Sequence, residues 1–135
     1  MYKSIQRLKL SKSDRILVFH APKTFSEFEQ YFTTGIDREI KGRAYPSVFY
    51  FTKNLEIAET EISKILRATA FDALFWFCYP KQKKQSKELP ITREDVRKFF
   101  ASHRLEPVSQ RTINENWTAL RIRPQELVTH RRSAT

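Results

Sequence analysis

The sequence predicts an α/β fold in which helices cover both faces of a mostly parallel sheet and the chain ends in an antiparallel β-hairpin. Residues 73–79 are apolar at every position, which is typical of a central strand buried on both faces. Strand and helix patterns alternate around this segment, and helices are the usual crossovers between parallel strands. Two last strand patterns are joined by Asn114-Glu115-Asn116, a sequence that favours a hairpin turn.

The first part of the chain predicts a strand and then a helix. Residues 15–20 form the strand, and the segment that ends at Thr24 interrupts it. Thr24 and Glu27 have the spacing of a capping box, so a helix is predicted to begin at Thr24. Three phenylalanines fall on one face of this helix, and Gly35 is suited to end it. They are Phe25, Phe28 and Phe32.

The middle of the chain predicts a short edge strand, an apolar strand and a second helix. The edge strand covers residues 36–41 and the apolar strand covers residues 47–52. Asn54 is a favoured N-cap residue, and the helix after it carries glutamates early and Lys64 and Arg67 late, which complements its dipole. The central strand at residues 73–79 follows this helix.

A third helix and the hairpin complete the predicted order. Thr92 and Asp95 form a second capping box, so a helix is predicted to begin there. The two hairpin strands are predicted at residues 107–113 and 117–123.

At 135 residues and 40% apolar content, the chain is long enough for one stable domain. We expect this domain to span residues 1–124, with a polar lead-in at residues 1–14, and residues 125–135 to form a basic tail. The single cysteine, Cys78, forms no internal disulfide, which favours a reducing compartment. The sequence has no signal-peptide pattern and no apolar run near the ~20 residues of a membrane helix, so we expect a cytoplasmic protein without a membrane segment.

The segments LFWFCYPK, LPITREDVRKFF, RLEPVSQ and NENWTALRIRP are distinctive in the C-terminal half. This pattern resembles a bacterial family of small Rossmann-like, methyltransferase-like proteins of unknown function. The resemblance spans residues 74–124 and extends more loosely back to Leu10. It implies a degenerate methyltransferase-like sheet with no established activity. The recurrent positions that it implies are Tyr79, Pro80, Lys81, Ser86, Thr92, Trp117 and Thr118.

This chain departs from methyltransferases in its shortage of glycine. The turn before the central strand, residues 68–71, has no glycine. The resembled bacterial family is also expected to have a glycine before Leu105, where this chain has Arg104. The turn after the first strand is His20-Ala21-Pro22-Lys23, whereas dinucleotide and S-adenosylmethionine sites need glycines there for close approach of the backbone. We therefore expect no cofactor.

Basic residues are predicted beyond the ends of several strands. Because the carboxyl ends of parallel strands meet at one edge of the sheet, where open α/β sheets bind ligands, these side chains predict a crevice for a phosphate or carboxylate. Two aromatic residues at strand ends are expected to form its apolar walls. The basic residues are His20, Lys23, Lys53 and Lys81, and the aromatic walls are Tyr79 and Trp117.

No catalytic or metal-binding motif accompanies this crevice. His20 has no acidic neighbour in the sequence, and the three scattered histidines and one cysteine show no metal-ligand spacing. Cys78 lies in the central strand, where a core role is favoured. The leading hypothesis is therefore a non-catalytic Rossmann-like module that binds a small anionic ligand or a protein partner. An atypical methyltransferase-like transferase is the alternative.

The net charge of +10, from 25 Lys and Arg against 15 Asp and Glu, leaves nucleic-acid binding as a further alternative. Such binding would use a basic loop after the central strand, within residues 81–87, together with the arginines towards the C-terminus. Aromatic residues along the strands favour core packing over base stacking. Homodimerisation through a sheet edge or the hairpin stays open. The basic loop contains Lys83, Lys84, Ser86 and Lys87.

Overall fold

Six strands form one sheet in the described part of this protein. A computed structural model describes residues 15–32, 35–42, 44–81 and 90–128. The strands are β1 (Arg15–Phe19), β2 (Gly35–Asp37), β3 (Tyr45–Phe51), β4 (Thr69–Pro80), β5 (Leu105–Thr112) and β6 (Trp117–Pro124). Their order in the sheet is β2-β1-β3-β4-β6-β5. The first four are parallel neighbours, whereas β6 is antiparallel to both β4 and β5. The predicted class is confirmed: a Rossmann-like, mostly parallel α/β sheet that ends in an antiparallel hairpin.

Helices cover both faces of the sheet. They are α1 (Ser26–Glu29), which continues a 3-10 turn at Lys23–Phe25, α2 (Leu55–Arg67) and α3 (Arg93–Ala101). The side chain of Asn54 accepts hydrogen bonds from two backbone N–H groups of α2, and Thr92 and Asp95 form a capping box on α3. Both caps were predicted from the sequence and are confirmed.

The start of the first helix differs from the prediction. Pro22 occupies the N-cap position of the 3-10 turn, and no side chain caps it, so the expected capping box of Thr24 and Glu27 does not form. Thr24 lies inside the turn, and its hydroxyl accepts a hydrogen bond from the side chain of Asn114 at 3.2 Å. Gly35 begins β2 instead of ending a helix. The three phenylalanines of this region nevertheless pack on the sheet face that faces α1.

The connection from β2 to β3 crosses β1 without a helix. Strand β2 ends at Asp37, well short of the predicted residue 41. The Tyr45 hydroxyl donates to the buried carboxylate of Asp37 and accepts from the backbone N–H of Lys41 at 3.1 Å. Hydrogen bonds of the Tyr45 side chain therefore stabilise this crossover, which contains no helix in the described residues.

A bulge lengthens β4 beyond the predicted residues 73–79. Tyr45 pairs with Thr69, but Ser47 already pairs with Leu74, so the residues between them on β4 have no partner in register. Within this bulge Asp72 has φ of 54°, and its carboxylate accepts two hydrogen bonds of 2.8 Å from Arg123 of β6. The bulge explains why the apolar pattern begins later than the strand.

The core consists of two clusters, one on each face of the sheet. Tyr50 and Phe77 point towards α2 and α3, where they meet buried side chains such as Phe100. The neighbouring residues Phe49 and Trp76 point towards α1 on the other face. This alternation is the period of two that strands impose. In the described part of the chain, no helix is long and apolar enough to span a bilayer.

Candidate functional site

A cavity of about 600 Å³ opens where β1 and β3 end; we call it the switch-point cavity. Strand β2 lies on one side of β1 and the rest of the sheet on the other, so the β1–β3 boundary is the topological switch point at which open α/β sheets bind ligands. Its volume falls within the ~300–1,000 Å³ of small-molecule sites. Its polar lining comes from His20, Tyr50, Thr52, Lys53 and Glu61.

His20 lies at the carboxyl end of β1, in a left-handed backbone conformation. Its φ is 59°, a value in which histidine is enriched relative to most non-glycine residues. The imidazole Nε2 lies 3.0 and 3.1 Å from the two carboxylate oxygens of Glu61, which projects from α2. The ring also meets Tyr50 edge-on, at 5.8 Å between centroids. Backbone, carboxylate and phenol therefore fix the orientation of a side chain that is 52% exposed.

Tyr50 anchors the other side of Glu61. Its hydroxyl donates to Oε1 of Glu61 at 2.8 Å. Burial, with the neighbouring carboxylate, raises the pKa of Tyr50, so the phenol stays protonated and keeps donating. Partial burial alone would raise the pKa of Glu61, but the hydrogen bonds from Tyr50 and His20 outweigh it and hold that pKa below its ordinary value. Glu61 is therefore an anion at neutral pH.

A fixed turn presents Lys53 at the edge of the cavity. The Thr52 hydroxyl donates to the carbonyl of Asn54 at 2.8 Å and accepts from its N–H at 3.0 Å. The backbone N–H of Thr52 donates to the carbonyl of Cys78 at 3.0 Å, which ties the turn to β4. Lys53 at the tip is exposed, so its ammonium can reach an anion in the cavity without loss of a buried partner.

Apolar side chains contribute the rest of the cavity lining. Trp117, at the start of β6, packs edge-on against Phe51 at 5.3 Å between ring centroids. The Asn114 side chain accepts from the backbone N–H of Trp117 at 3.1 Å and so sets the start of that strand. Ile57 of α2 also lines the cavity and is 57% exposed. Pro22 completes the apolar lining.

The structure brings three of the predicted site residues together. His20, Lys53 and Trp117 all line the switch-point cavity. The basic loop of Lys83, Lys84, Ser86 and Lys87 lies outside the described residues.

The other three predicted residues lie elsewhere. Lys23 is exposed in the 3-10 turn and does not line the cavity. Tyr79 is buried in the cluster beneath α2 and α3, on the face opposite Trp117, and this burial raises the pKa of its phenol. Lys81 follows β4, and its backbone N–H donates to the carbonyl of Asn116 at 2.9 Å. Neither Tyr79 nor Lys81 lines the cavity.

Sequence reasoning missed Glu61 and Tyr50 as site residues. Glu61 is 41 positions from His20, so proximity along the chain gives no hint of the pair. One signal was present: Glu61 lies at the edge of the buried stripe of α2 formed by Ala58, Ile62 and Ile65, where an acid is partly removed from water. In the part of the chain that the structure describes, no group of three or more His, Cys, Asp or Glu side chains is arranged to hold a metal ion.

A second cavity, of about 340 Å³, lies at the opposite end of β4. It adjoins the bulge, and its lining includes Phe71, Asp72 and His103. It is thus separated from the switch-point cavity by the length of the sheet.

Comparison with known proteins finds similarity in the fold. A protein from Sulfolobus solfataricus assigned to the type 11 methyltransferases is 12% identical, with a TM-score of 0.48, over 84% of this chain and 72% of that one. A protein of the NADB-Rossmann superfamily from Streptococcus agalactiae is 9% identical, with a TM-score of 0.43, over 91% of this chain and 67% of that one.

TYW2 of P. horikoshii, solved in complex with MeSAdo, is 12% identical, with a TM-score of 0.42, over 87% of this chain and 59% of that one. No protein-family model and no curated protein matches the chain. At these identities the similarity is one of fold alone, and it assigns no ligand or reaction to this protein.

Proposed function

We propose that this protein binds a small ligand that carries an anionic group and a flat apolar portion, in the switch-point cavity. One observation carries the proposal: basic and aromatic side chains line a single cavity at the topological switch point, with Lys53 and His20 among the former and Trp117 and Phe51 among the latter.

The charges of the cavity support an anionic ligand. Glu61 is the acidic lining residue, and its carboxylate already accepts hydrogen bonds from His20 and Tyr50. Lys53 has an exposed ammonium that the fixed Thr52–Asn54 turn holds at the rim. An incoming phosphate or carboxylate therefore meets Lys53 and the outer edge of His20.

The apolar lining supports a flat portion on the ligand. Trp117 and Phe51 are packed against one another and are almost fully buried, so the part of them that lines the cavity is narrow and held in place by the core. Ile57 is left largely exposed at the rim, and a bound ring would remove that apolar surface from water.

A thermal-shift panel tests this proposal. It compares inorganic phosphate, sugar phosphates, adenosine monophosphate and aromatic carboxylates, with a short oligonucleotide included. A ligand at a hundred times its Kd adds about 2.7 kcal/mol of stability. We expect ringed anions to stabilise the protein more than inorganic phosphate does.

Two lysine variants locate the response. Lys53→Gln removes one charge at the cavity, and Lys98→Gln removes the same charge from the exposed surface of α3. We expect Lys53→Gln to weaken binding about tenfold, which corresponds to ~1.4 kcal/mol, and Lys98→Gln to leave it unchanged. No stabilising anion in the panel, or an equal effect of both variants, would disprove the proposal.

A second candidate function is that of an atypical methyltransferase-like transferase. The observation in its favour is the antiparallel β5–β6 hairpin on a parallel sheet, an arrangement typical of methyltransferases. The turn from His20 to Lys23 opposes it, because Pro22 lines the cavity where a glycine backbone would approach the donor. Calorimetric titration with S-adenosylmethionine tests this candidate. Binding that is weakened by Lys53→Gln or Ile57→Asp would support the transferase. The absence of binding heat at millimolar ligand would refute it.

A further inference from the structure

If the His20–Glu61 pair served only to stabilise the fold, its energetic cost would exceed the stability that it contributes. His20 is half exposed, and ion pairs that water reaches contribute little to stability. Its backbone is in the left-handed region, which a non-glycine residue adopts at some energetic cost. A residue held in such a conformation, with its ring oriented from two sides, is typical of a site that acts on a ligand.

The hydrogen bonds between His20 and Glu61 determine which nitrogen of the imidazole can accept a proton. Nε2 faces both carboxylate oxygens of Glu61, so in the neutral ring Nε2 carries the hydrogen and donates it. Nδ1 is then the nitrogen with a free electron pair, able to accept a proton. Glu61 stays anionic because Tyr50 donates to it, and an anion at this position stabilises the imidazolium that proton transfer creates.

We propose that His20 is a general base and acid, oriented by Glu61, for the hydrolysis of small esters of anionic aromatic compounds in the switch-point cavity. This inference rests on the proposed function, since the ligand's anionic group and ring are held as described above. Lys53 lines the same cavity and holds the anionic group of the substrate, as in the proposed function.

The reaction uses water as its only co-reactant. A water molecule gives a proton to Nδ1 of His20 while its oxygen forms a bond to the ester carbonyl carbon. The bond from that carbon to the leaving oxygen then breaks, and His20 returns the proton to the departing oxygen. The products are a carboxylic acid and a phenol or alcohol, and His20 ends neutral as it began.

Two probes separate binding from chemistry. 4-Acetoxybenzoate has a carboxylate, a ring and an ester, and its hydrolysis releases 4-hydroxybenzoate and acetate. 4-Acetamidobenzoate has the same shape with an amide that resists hydrolysis, so calorimetry with it measures binding alone. Hydrolysis is followed by chromatography of 4-hydroxybenzoate at several pH values.

Two histidine variants provide a matched pair. His20→Asn removes the base, and asparagine is among the residues that tolerate a left-handed backbone, so the turn is retained. His103→Asn removes a histidine from the other cavity, at the far end of the sheet. We expect His20→Asn to lower the hydrolysis rate about a hundredfold and His103→Asn to leave it unchanged. Thermal unfolding of both variants verifies that they are folded.

Glu61 is tested as a positioning residue. Glu61→Gln keeps the size of the side chain but removes the anion that stabilises the imidazolium, so we expect kcat to fall about tenfold with little change in KM. Glu61→Asp restores the anion, and we expect it to recover part of kcat. The titratable and charged groups around the ring are Glu61 and Lys64 of α2, Tyr50 of β3 and Lys53, so the pH–rate profile is measured for Glu61→Gln as well.

Each outcome decides between the two proposals. Binding of 4-acetamidobenzoate without hydrolysis of the ester overturns the proton-transfer proposal and leaves the binding function standing. Hydrolysis that His20→Asn does not slow, or that His103→Asn slows equally, overturns it too. Failure of the wild-type protein to bind 4-acetamidobenzoate overturns the binding function for aromatic carboxylates and this inference with it.

Discussion

The bulge in β4 makes a prediction about stability that depends on one ion pair. Asp72 occupies a left-handed conformation in the bulge, and Arg123 donates two hydrogen bonds of 2.8 Å to its carboxylate. Asp72→Asn is the informative change, because asparagine tolerates the same backbone and can still accept one hydrogen bond. What the substitution removes is the charge that pairs with Arg123.

The size of the effect follows from the geometry and exposure of the pair. Hydrogen bonds to charged groups contribute about 1.5–3 kcal/mol. The side chains of Arg123 and Asp72 are 18% and 28% exposed, so water screens part of the interaction. We therefore expect Asp72→Asn to lower the free energy of unfolding by about 1–2 kcal/mol, of which we assign ~1 kcal/mol to coupling with Arg123.

Urea unfolding followed by circular dichroism measures this loss. With an m-value of about 2 kcal/mol/M, a loss of 1–2 kcal/mol moves the midpoint down by about 0.5–1 M. Arg123→Gln and the double variant complete a thermodynamic cycle. Glu94→Gln serves as the control, because it breaks a solvent-exposed ion pair with Arg97 on α3 and should leave the midpoint nearly unchanged.

The same pair predicts a dependence on pH. The hydrogen bonds from Arg123 lower the pKa of Asp72 in the folded protein. A carboxyl whose folded pKa is depressed adds stability above its unfolded pKa of about 3.9, and this stability is lost as the pH falls through the folded value. The difference between wild type and Asp72→Asn should therefore be full at pH 7 and shrink below about pH 4. Equal midpoints at pH 7, or a difference that persists unchanged in acid, would refute the assignment.

Three further predictions follow from other parts of the fold. Phe100→Ala should lower the free energy of unfolding by about 3–5 kcal/mol, because its ring is fully buried and meets Phe77 edge-on at 5.1 Å. Asn54→Ala should cost about 1 kcal/mol in urea unfolding, because two N–H groups of α2 lose their acceptor. Cys78 should react with a thiol reagent only after unfolding, because it is buried and this burial raises the pKa of its thiol.

Each of these has a result that would contradict it. A loss of less than 1 kcal/mol for Phe100→Ala would mean that the core around α3 collapses into the space. An unchanged midpoint for Asn54→Ala, with Thr60→Ala on the exposed part of α2 as the control, would mean that water replaces the cap. Labelling of Cys78 at the rate of a free thiol in native protein would mean that β4 opens readily.

Sequence signals that involve only residues within one helical turn, such as capping residues, predicted the starts of two helices correctly. Asn54 and the pair of Thr92 and Asp95 mark the starts of α2 and α3, because capping depends only on residues within one turn. The same rule was wrong at Thr24, where Pro22 fixes an earlier turn and the hydroxyl bonds to a residue 90 positions away.

Features that depend on distant partners were out of reach of sequence reasoning. The β4 bulge is held by Arg123, which is 51 positions from Asp72. Lys53 and His20 line the same cavity because they follow strands whose ends meet, a rule that needs only strand order. Tyr79 was predicted as a wall of the same cavity, but the alternation of side chains along β4 sends it to the other face, away from Trp117.

The two outer strands of the described sheet have a consequence for aggregation. At one edge β2 is only three residues long. At the other, β5 carries Pro107, which has no N–H to donate, a register shift between Pro107 and Ser109, and the exposed charge of Arg111. Neither edge offers the long, regular row of backbone groups on which another chain can add a strand. The aromatic strands β3 and β4, which would be prone to such pairing, lie inside the sheet, so fibril formation by this protein should require prior opening of its centre.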